Sequence, residues 1–453
     1  MISNQKIAIF GFGKEGVSSA NYLGRNNQLT IIDEKTRDQI DPIFFEKLKA
    51  KKVKFYLGGG LPAEKFDLVV RTPGARPNNP IVTKLIKSGA VQTSVIKIFF
   101  ELCPCPIIGI TGTKGKGTAA TLIYEMLKTQ NQNVFLGGNI GTSPLDFLND
   151  LTAESLVVLE LSSFQLMNLA MSPHIAVVLM ITSEHLDWHK DTTEYQKAKE
   201  SIVKYQAPND FAIINQDFSA SLSFAHKTKA KVLFVSTTKK TNGVYLESNK
   251  IISQIKKSEQ IIDISEILLP GKHNLQNVIA ATAVAKINGI PNDQIIRVLT
   301  SFKGLIHRLQ LVTEVGGVKF YNDSFSTIPE TTIAAIEAFS NPKILILGGS
   351  SKNSDFANLA EKIHQDRSLG ALILIGLEGP RIRQAIENAG GFEGRIIEGL
   401  KNMQQIVSYA SQIAKNGDVV ILSPACASFD MFKNYQDRGE QFIQQVNLIK
   451  MWG

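Results

Sequence analysis

Short apolar runs recur along the chain, each closed by glycine, asparagine or proline and followed by a longer stretch with helical periodicity. IAIF before GFGKEG, LTIID, and LVV before RTPG open the chain in this way. IIGIT, NVFLGG, SLVVLEL and IAVVLMI continue it, and KFYNDS, KILILGG, ALILIG and DVVILS close it. Runs without a polar alternation are strands buried on both faces, as in a parallel sheet covered by helices. Each return to a parallel neighbour needs a right-handed crossover. The pattern predicts an α/β protein. At 453 residues it is too long for one core, and its punctuation divides it into three successive α/β units, 1–94, 95–304 and 305–453, with no short repeat. A helix is expected over Thr193–Tyr205, and another opening at PGKHNLQN.

Two glycine-rich turns follow strands. Ile107–Ala120 reads IIGITGTKGKGTAA, a strand, a turn carrying Lys116 and Thr118, and a helix start. Such a turn aims backbone N–H groups at one spot, and with a lysine added that spot binds polyphosphate. The usual nucleotide loop has Gly six positions before the Lys and Ser/Thr directly after it; here Ile110 and Gly117 stand there, so the match is partial. The other turn is GxGxxG at Gly11, Gly13 and Gly16, with Asp33 about twenty positions on. Alone it suggests a dinucleotide-dependent dehydrogenase, but it supports only a tight turn and a bound diphosphate. Thr72 falls at a strand's carboxyl end, where ligands of open sheets gather.

Composition narrows the classes. The chain is 43% hydrophobic and 20% charged, with three cysteines. No apolar run reaches membrane-span length, and MISNQKIAIFGFG enters a strand rather than a signal peptide. Net charge is +8, but the cations are dispersed, which fits anionic small molecules better than nucleic acid. Cys103 and Cys105 are too close for an easy bridge and Cys426 is remote, so a reduced cytoplasm is expected.

Three further residues stand in the same segment as the phosphate loop. Glu160 and His185 each follow a buried strand, and Lys199 lies on the Thr193–Tyr205 helix. A carboxylate suits Mg²⁺, with phosphate oxygens completing the shell. On the residues alone, His185 is read either as a metal partner or as a satisfied structural histidine, and Lys199 as a solvated helix residue. His174, His189, His226 and His364 show no ligand spacing and are read as structural.

TGTKGKGT, GGNIG, LELSSFQL, SEHLD, YQKAK, GKHNLQN, IHRLQ, NDS, LGGSSK and SPACASFDMFKNYQDRG occur in this order. Together they resemble the Mur ligase family, from Gly11 to Gly439. The resemblance implies a Rossmann-like UDP-binding domain, a central ATPase domain of phosphate-loop type with a mainly parallel sheet, and a Rossmann-like C-terminal domain able to close over ATP. It implies a cytoplasmic bacterial monomer that adds glutamate, in the D form, to UDP-N-acetylmuramoyl-L-alanine with ATP and Mg²⁺ in peptidoglycan synthesis. Gly13, Lys14, Asp33, Thr72 and Asn139 match positions for the UDP-sugar. Gly112, Thr113, Lys114, Gly115, Lys116, Gly117 and Thr118 surround the phosphates, and His273, Asn274 and Asn277 match the motif that meets the nucleotide. Arg308 and Asp323 match residues near ATP. Thr118, Glu160 and His185 match magnesium positions, and Lys199 a lysine carried as its carbamate. Thr327, Lys352, Ser428 and Tyr435 fall where glutamate is held.

Two departures stand out. Gly117 displaces the expected hydroxyl by one position, to Thr118, a GKG arrangement that resembles folylpolyglutamate synthetases. After Asp323-Ser324, glutamate ligases of the family carry lysine, where this chain has Phe325. L-glutamate or another amino acid, a dehydrogenase built on GxGxxG, and an inactive nucleotide-binding protein are the rival readings.

Overall fold

The computed structural model describes residues 2–182, 184, 188–351 and 353–452. The expectations for His185 and Lys352 lie outside the described residues. The chain forms two compact units, one of Met1–Ile264 with Gln276–Val298 and one of Ser265–Leu275 with Leu299–Gly453.

The first unit holds two sheets. One has five parallel strands in the order Lys54–Leu57, Gln28–Asp33, Lys6–Phe10, Leu68–Arg71, Val91–Thr93. The chain leaves the central strand first toward one edge and then toward the other, and such a reversal opens a crevice beyond the strands' carboxyl ends. The GxGxxG turn lies at that point. The other sheet has nine strands, and Ile107–Thr111 lies between Leu156–Glu160 and Ile175–Val178. Beyond Ile175–Val178 come Phe211–Asn215, Lys231–Ser236 and Val244–Glu247, all parallel. Two antiparallel strands, Lys250–Ser253 and Glu259–Asp263, finish that edge. Val244–Glu247 and Lys250–Ser253 form a hairpin that turns at Ser248 and Asn249, with φ of 48° and 64°, left-handed values that a two-residue turn between twisted strands requires.

The second unit has six strands in the order Gln310–Val315, Val318–Asn322, Val419–Leu422, Lys343–Gly348, Leu369–Ile375, Arg395–Ile397. Only the first pair is antiparallel, turning at Gly316–Gly317. The strands expected from the apolar runs are present in each sheet. Short or edge strands such as Lys54–Leu57 and Arg395–Ile397 carry too few buried positions to show in the pattern.

The two sheets of the first unit share one core. The helix Val95–Leu102, capped by the Ser94 hydroxyl on the Lys97 N–H at 3.2 Å, joins the last strand of one to the first strand of the other. Its Phe99 is fully buried and meets Phe147 edge-on with ring centres 5.7 Å apart. Phe99→Ala should therefore cost about 3–5 kcal/mol, the range for deleting a buried aromatic ring. Val91→Ala, at a position 62% exposed, should leave the urea midpoint almost unchanged. Equal midpoints for the two variants would show that this shared core is not a determinant of stability.

Candidate active site

The phosphate loop grows out of a fully buried strand, Ile107–Thr111, and ends at the helix Lys116–Lys128. The first turn of that helix leaves backbone N–H groups without helical partners, directed out of its N-terminus. Gly115 caps the helix with φ of +83°, and a Cβ there would land on the Asn277 side-chain amide. Glycine is needed for both reasons, and Asn277 is thereby set against the loop. Thr113 is fixed from three sides: its N–H donates to Met180 O at 2.6 Å, its hydroxyl accepts from Thr182 N at 2.9 Å and lies 3.1 Å from the Tyr195 hydroxyl. Lys114 pairs with Glu184.

Lys116 folds back over the loop and donates to Gly112 O at 3.1 Å and Thr113 O at 3.0 Å. Lys199 reaches the same place from the helix Thr192–Lys204, donating to Gly112 O at 3.1 Å and Thr111 Oγ1 at 3.4 Å. It is 1% exposed and lies over the Tyr195 ring, 4.6 Å from its centre. Burial, and then the Lys116 charge beside it, hold the Lys199 ammonium well below the usual lysine range. Read from the residues alone, Lys199 is a solvated helix position; the structure corrects this, because the apolar face of that helix turns it inward. Glu160, 5% exposed, ends the neighbouring strand, and its Oε1 accepts from Asn139 Nδ2 at 3.0 Å. Thr118 lies on the first helical turn after the loop, half-buried. Among the described residues no three of His, Cys, Asp or Glu gather as a metal cluster.

Gly13, Lys14, Asp33, Thr72 and Asn139 line one cleft of about 670 Å³ in the first unit. Asp33 Oδ2 accepts from Phe12 N at 2.6 Å and so holds the glycine turn. A Cβ at Gly11 would strike the Thr72 hydroxyl, and one at Gly16 would strike Gly11 O. Gly13 has open space around it, which leaves its backbone approachable from the cleft. Lys14 donates to Gly141 O, and Gln165 donates to Glu15 Oε1 at 2.7 Å, so the turn is tied to the nine-stranded sheet.

In the second unit, Asp323 is buried at the end of Val318–Asn322. Its carboxylate accepts from Leu309 N at 3.1 Å and from the hydroxyls of Ser326 and Ser423, at 2.5 and 2.8 Å. Burial outweighs these bonds and pushes its carboxyl up to about 6. The Ser324 hydroxyl donates to Tyr435 O at 2.8 Å. The Arg438 guanidinium, fully buried, donates to Ser324 Oγ and O at 2.9 Å and to Ala427 O and Cys426 O at 3.2 Å. The Arg308 guanidinium lies 3.9 Å from the centre of the Phe325 ring, and that ring meets the Tyr435 ring at right angles, 5.1 Å centre to centre. Ser428 is buried beside these loops, and Thr327 precedes the helix Pro329–Glu337.

Sequence reasoning missed Tyr195, Gln165 and Arg438. The spacing of Tyr195 four residues before Lys199 puts both on one helix face, which was a usable signal. Arg438 reads as an exposed charge on the first turn of Tyr435–Trp452, and nothing local marks it as buried.

Residues 110–285 match the Mur ligase middle domain and residues 307–426 the Mur ligase glutamate ligase domain. Proteins named UDP-N-acetylmuramoylalanine–D-glutamate ligase, from Acetivibrio thermocellus and Ruminiclostridium cellulolyticum, are 38% and 37% identical to the chain. Both alignments cover 99% of this chain, and 97% and 98% of theirs. Among solved structures, the UDP-N-acetylmuramate–alanine ligase of Thermotoga maritima aligns with a TM-score of 0.61 at 16% identity, over 99% of this chain and 100% of that one. The MurF ligase of the same organism, in complex with ADP, gives 0.57 at 19% identity, over 99% and 96%. The structures share the three-part α/β fold. Since the relatives also align from end to end, the chain belongs to the Mur ligase family.

Proposed function

We propose that the protein joins D-glutamate to UDP-N-acetylmuramoyl-L-alanine with ATP, as a cytoplasmic monomer of peptidoglycan precursor synthesis acting on small molecules only. The observation that carries this reading is Asn139, which lines the cleft of the glycine turn and also bonds Glu160 beside the phosphate loop. A nucleotide sugar in the cleft and a polyphosphate on the loop would thus be served by one unit, which a dehydrogenase does not need. The relatives' shared name supports the substrates.

Amide formation from a free carboxylate is uphill in water, so the carboxylate is first phosphorylated. One carboxylate oxygen of the alanyl group attacks the γ-phosphorus of ATP and ADP leaves. The glutamate amine then adds to the acyl phosphate, loses a proton, and expels inorganic phosphate. Lys116 offsets charge on the transferring group, and alignment of the two oxygens supplies much of the rate. Mg²⁺, when bound, neutralises phosphate charge; Glu160 and Thr118 offer it hard oxygen ligands, with phosphate and water oxygens filling the rest. Thr327, Ser428 and Tyr435, with Lys352, are the residues proposed for glutamate, and Asn277, Arg308 and Asp323 for the nucleotide.

Lys199 is proposed to be carried as a carbamate. Its unprotonated amine adds to the carbon of carbon dioxide and releases one proton, which converts a buried neutral amine into a carboxylate-like anion suited to Mg²⁺. Burial and the Lys116 charge favour the unprotonated amine that this step requires.

Phosphate release from ATP, measured with UDP-N-acetylmuramoyl-L-alanine and each of D-glutamate, L-glutamate and D-aspartate, tests the assignment. D-glutamate should support turnover; a preference for L-glutamate would move the amino-acid assignment, and no release with any would end it. Lys116→Ala should lower kcat by roughly a hundred- to a thousandfold, as loss of a charge-stabilising donor does, while the fold persists. Turnover near the wild type's would reduce the loop to a structural turn. Lys199→Ala and Lys199→Arg should both lose most turnover while ATP still binds, since arginine stays protonated and cannot take up carbon dioxide. Carbon-13 bicarbonate should give a carbamate resonance in the wild type that is absent from both variants; full activity of Lys199→Arg would refute the carbamate.

A further inference from the structure

Glu15 is an unexpected residue for a turn that meets a diphosphate. It stands on the first turn of the helix Lys14–Leu23, inside GxGxxG, and borders the same cleft as Gly11, Gly13 and Asp33. Its Oε1 takes the Gln165 amide at 2.7 Å, but its Oε2 is sealed from solvent and has no hydrogen-bond partner. The groups acting on it are few. Lys14 lies beside it on its own helix, Arg71 ends the neighbouring strand Leu68–Arg71, and Gln165 is neutral. Arg71 spends one nitrogen on Ala75 O at 2.5 Å, and its buried Nε has no hydrogen-bond partner. A carboxylate left half-satisfied in this way lacks what normally stabilises a buried charge.

A nucleotide diphosphate on this turn would bring two negative charges toward that carboxylate, in a place where water screens little. Like charges so placed disfavour the ionised form. Resting on the reading of this cleft as the UDP-sugar site, we infer that Glu15 links nucleotide binding to a proton: the diphosphate enters as the Glu15 carboxylate takes one proton from solvent. The neutral acid keeps the bond from Gln165 and removes the repulsion, while the glycine turn and Lys14 hold the ligand. Burial, against the lowering effects of Gln165, Lys14 and Arg71, already pushes this carboxyl up to about 7 in the unliganded protein, so the linkage acts across the physiological range.

The sign follows. A bound anion raises the carboxyl further, so binding is tight where Glu15 is already protonated and weakens as pH rises through about 7. The ligand does not confuse the measurement, because each phosphorus of a nucleotide sugar has one ionisable oxygen and that oxygen is a strong acid. No histidine or cysteine lines the cleft among the described residues.

The test is isothermal calorimetry of the full-length protein with UDP-N-acetylmuramoyl-L-alanine, without ATP or magnesium, at pH 6 and pH 8. Repeating it in two buffers of different ionisation enthalpy counts the protons taken up. The wild type should bind about tenfold more weakly at pH 8 than at pH 6, the loss expected above a carboxyl near 7, and should take up most of a proton at pH 8. Glu15→Gln, which keeps the shape and the neutral charge, should bind equally at both pH values with no proton uptake. The wild-type proton count stands even if that variant fails to fold. Wild-type binding that is independent of pH and of buffer overturns the inference and leaves the UDP-sugar reading in place. A pH dependence that survives in Glu15→Gln also overturns it. No binding at either pH overturns the reading of the cleft and the inference together.

Discussion

Two ammonium groups meet on one carbonyl oxygen. Lys116 and Lys199 both donate to Gly112 O at 3.1 Å, and two cations that close, away from water, repel unless something answers them. An anion bound on the loop answers them, and so does loss of a proton from the more deeply buried lysine. Much of the nine-stranded sheet is arranged around this crowding. Ile107–Thr111 delivers the carbonyl, the helix Thr192–Lys204 delivers one amine, and Leu156–Glu160 ends in the carboxylate that sits across the loop.

Above the apolar core that the two sheets of the first unit share, a set of polar links joins this site to the glycine turn. Lys14 to Gly141, Ser18 to Asp146 at 2.6 Å, and Gln165 to Glu15 all cross from the glycine turn's helix to the loop and short helices that follow strands of the nine-stranded sheet. Beneath them the helix Val95–Leu102 provides the apolar floor. Polar links of this kind are directional, so they fix the relative orientation of the two turns that a ligand would span.

The strands and turns were readable because their physics is local. An apolar run between glycines means a buried strand, and Gly11, Gly16 and Gly115 answer to close approaches by Thr72, Gly11 O and Asn277. Gly13, Lys14, Asp33 and Thr72 come together because each ends or follows a strand of one parallel sheet or begins the next helix, and such ends share one edge; Asn139 joins them from the end of Val134–Gly138 in the nine-stranded sheet. Arg438, Gln165 and the buried state of Lys199 were not readable from composition or spacing. Each depends on which face of a helix is covered by an element far away in sequence, and a single polar letter in a helix carries no sign of that. The edge hairpin at Ser248–Asn249 escaped for a different reason, since neither residue is the glycine that usually marks such a turn.

The stack of Arg308 on Phe325 bears on how this chain could change. The ring is 39% exposed, with the guanidinium 3.9 Å from its centre and the Tyr435 ring at right angles to it, 5.1 Å centre to centre. Installing lysine at 325 would remove the platform and place a second cation where the first one rests. Retaining the ring while shortening Arg308 would leave an aromatic face uncovered to water. The two positions are therefore epistatic: a lineage moving between lysine and phenylalanine at 325 has to renegotiate 308 in the same step or pass through a crowded or an exposed intermediate.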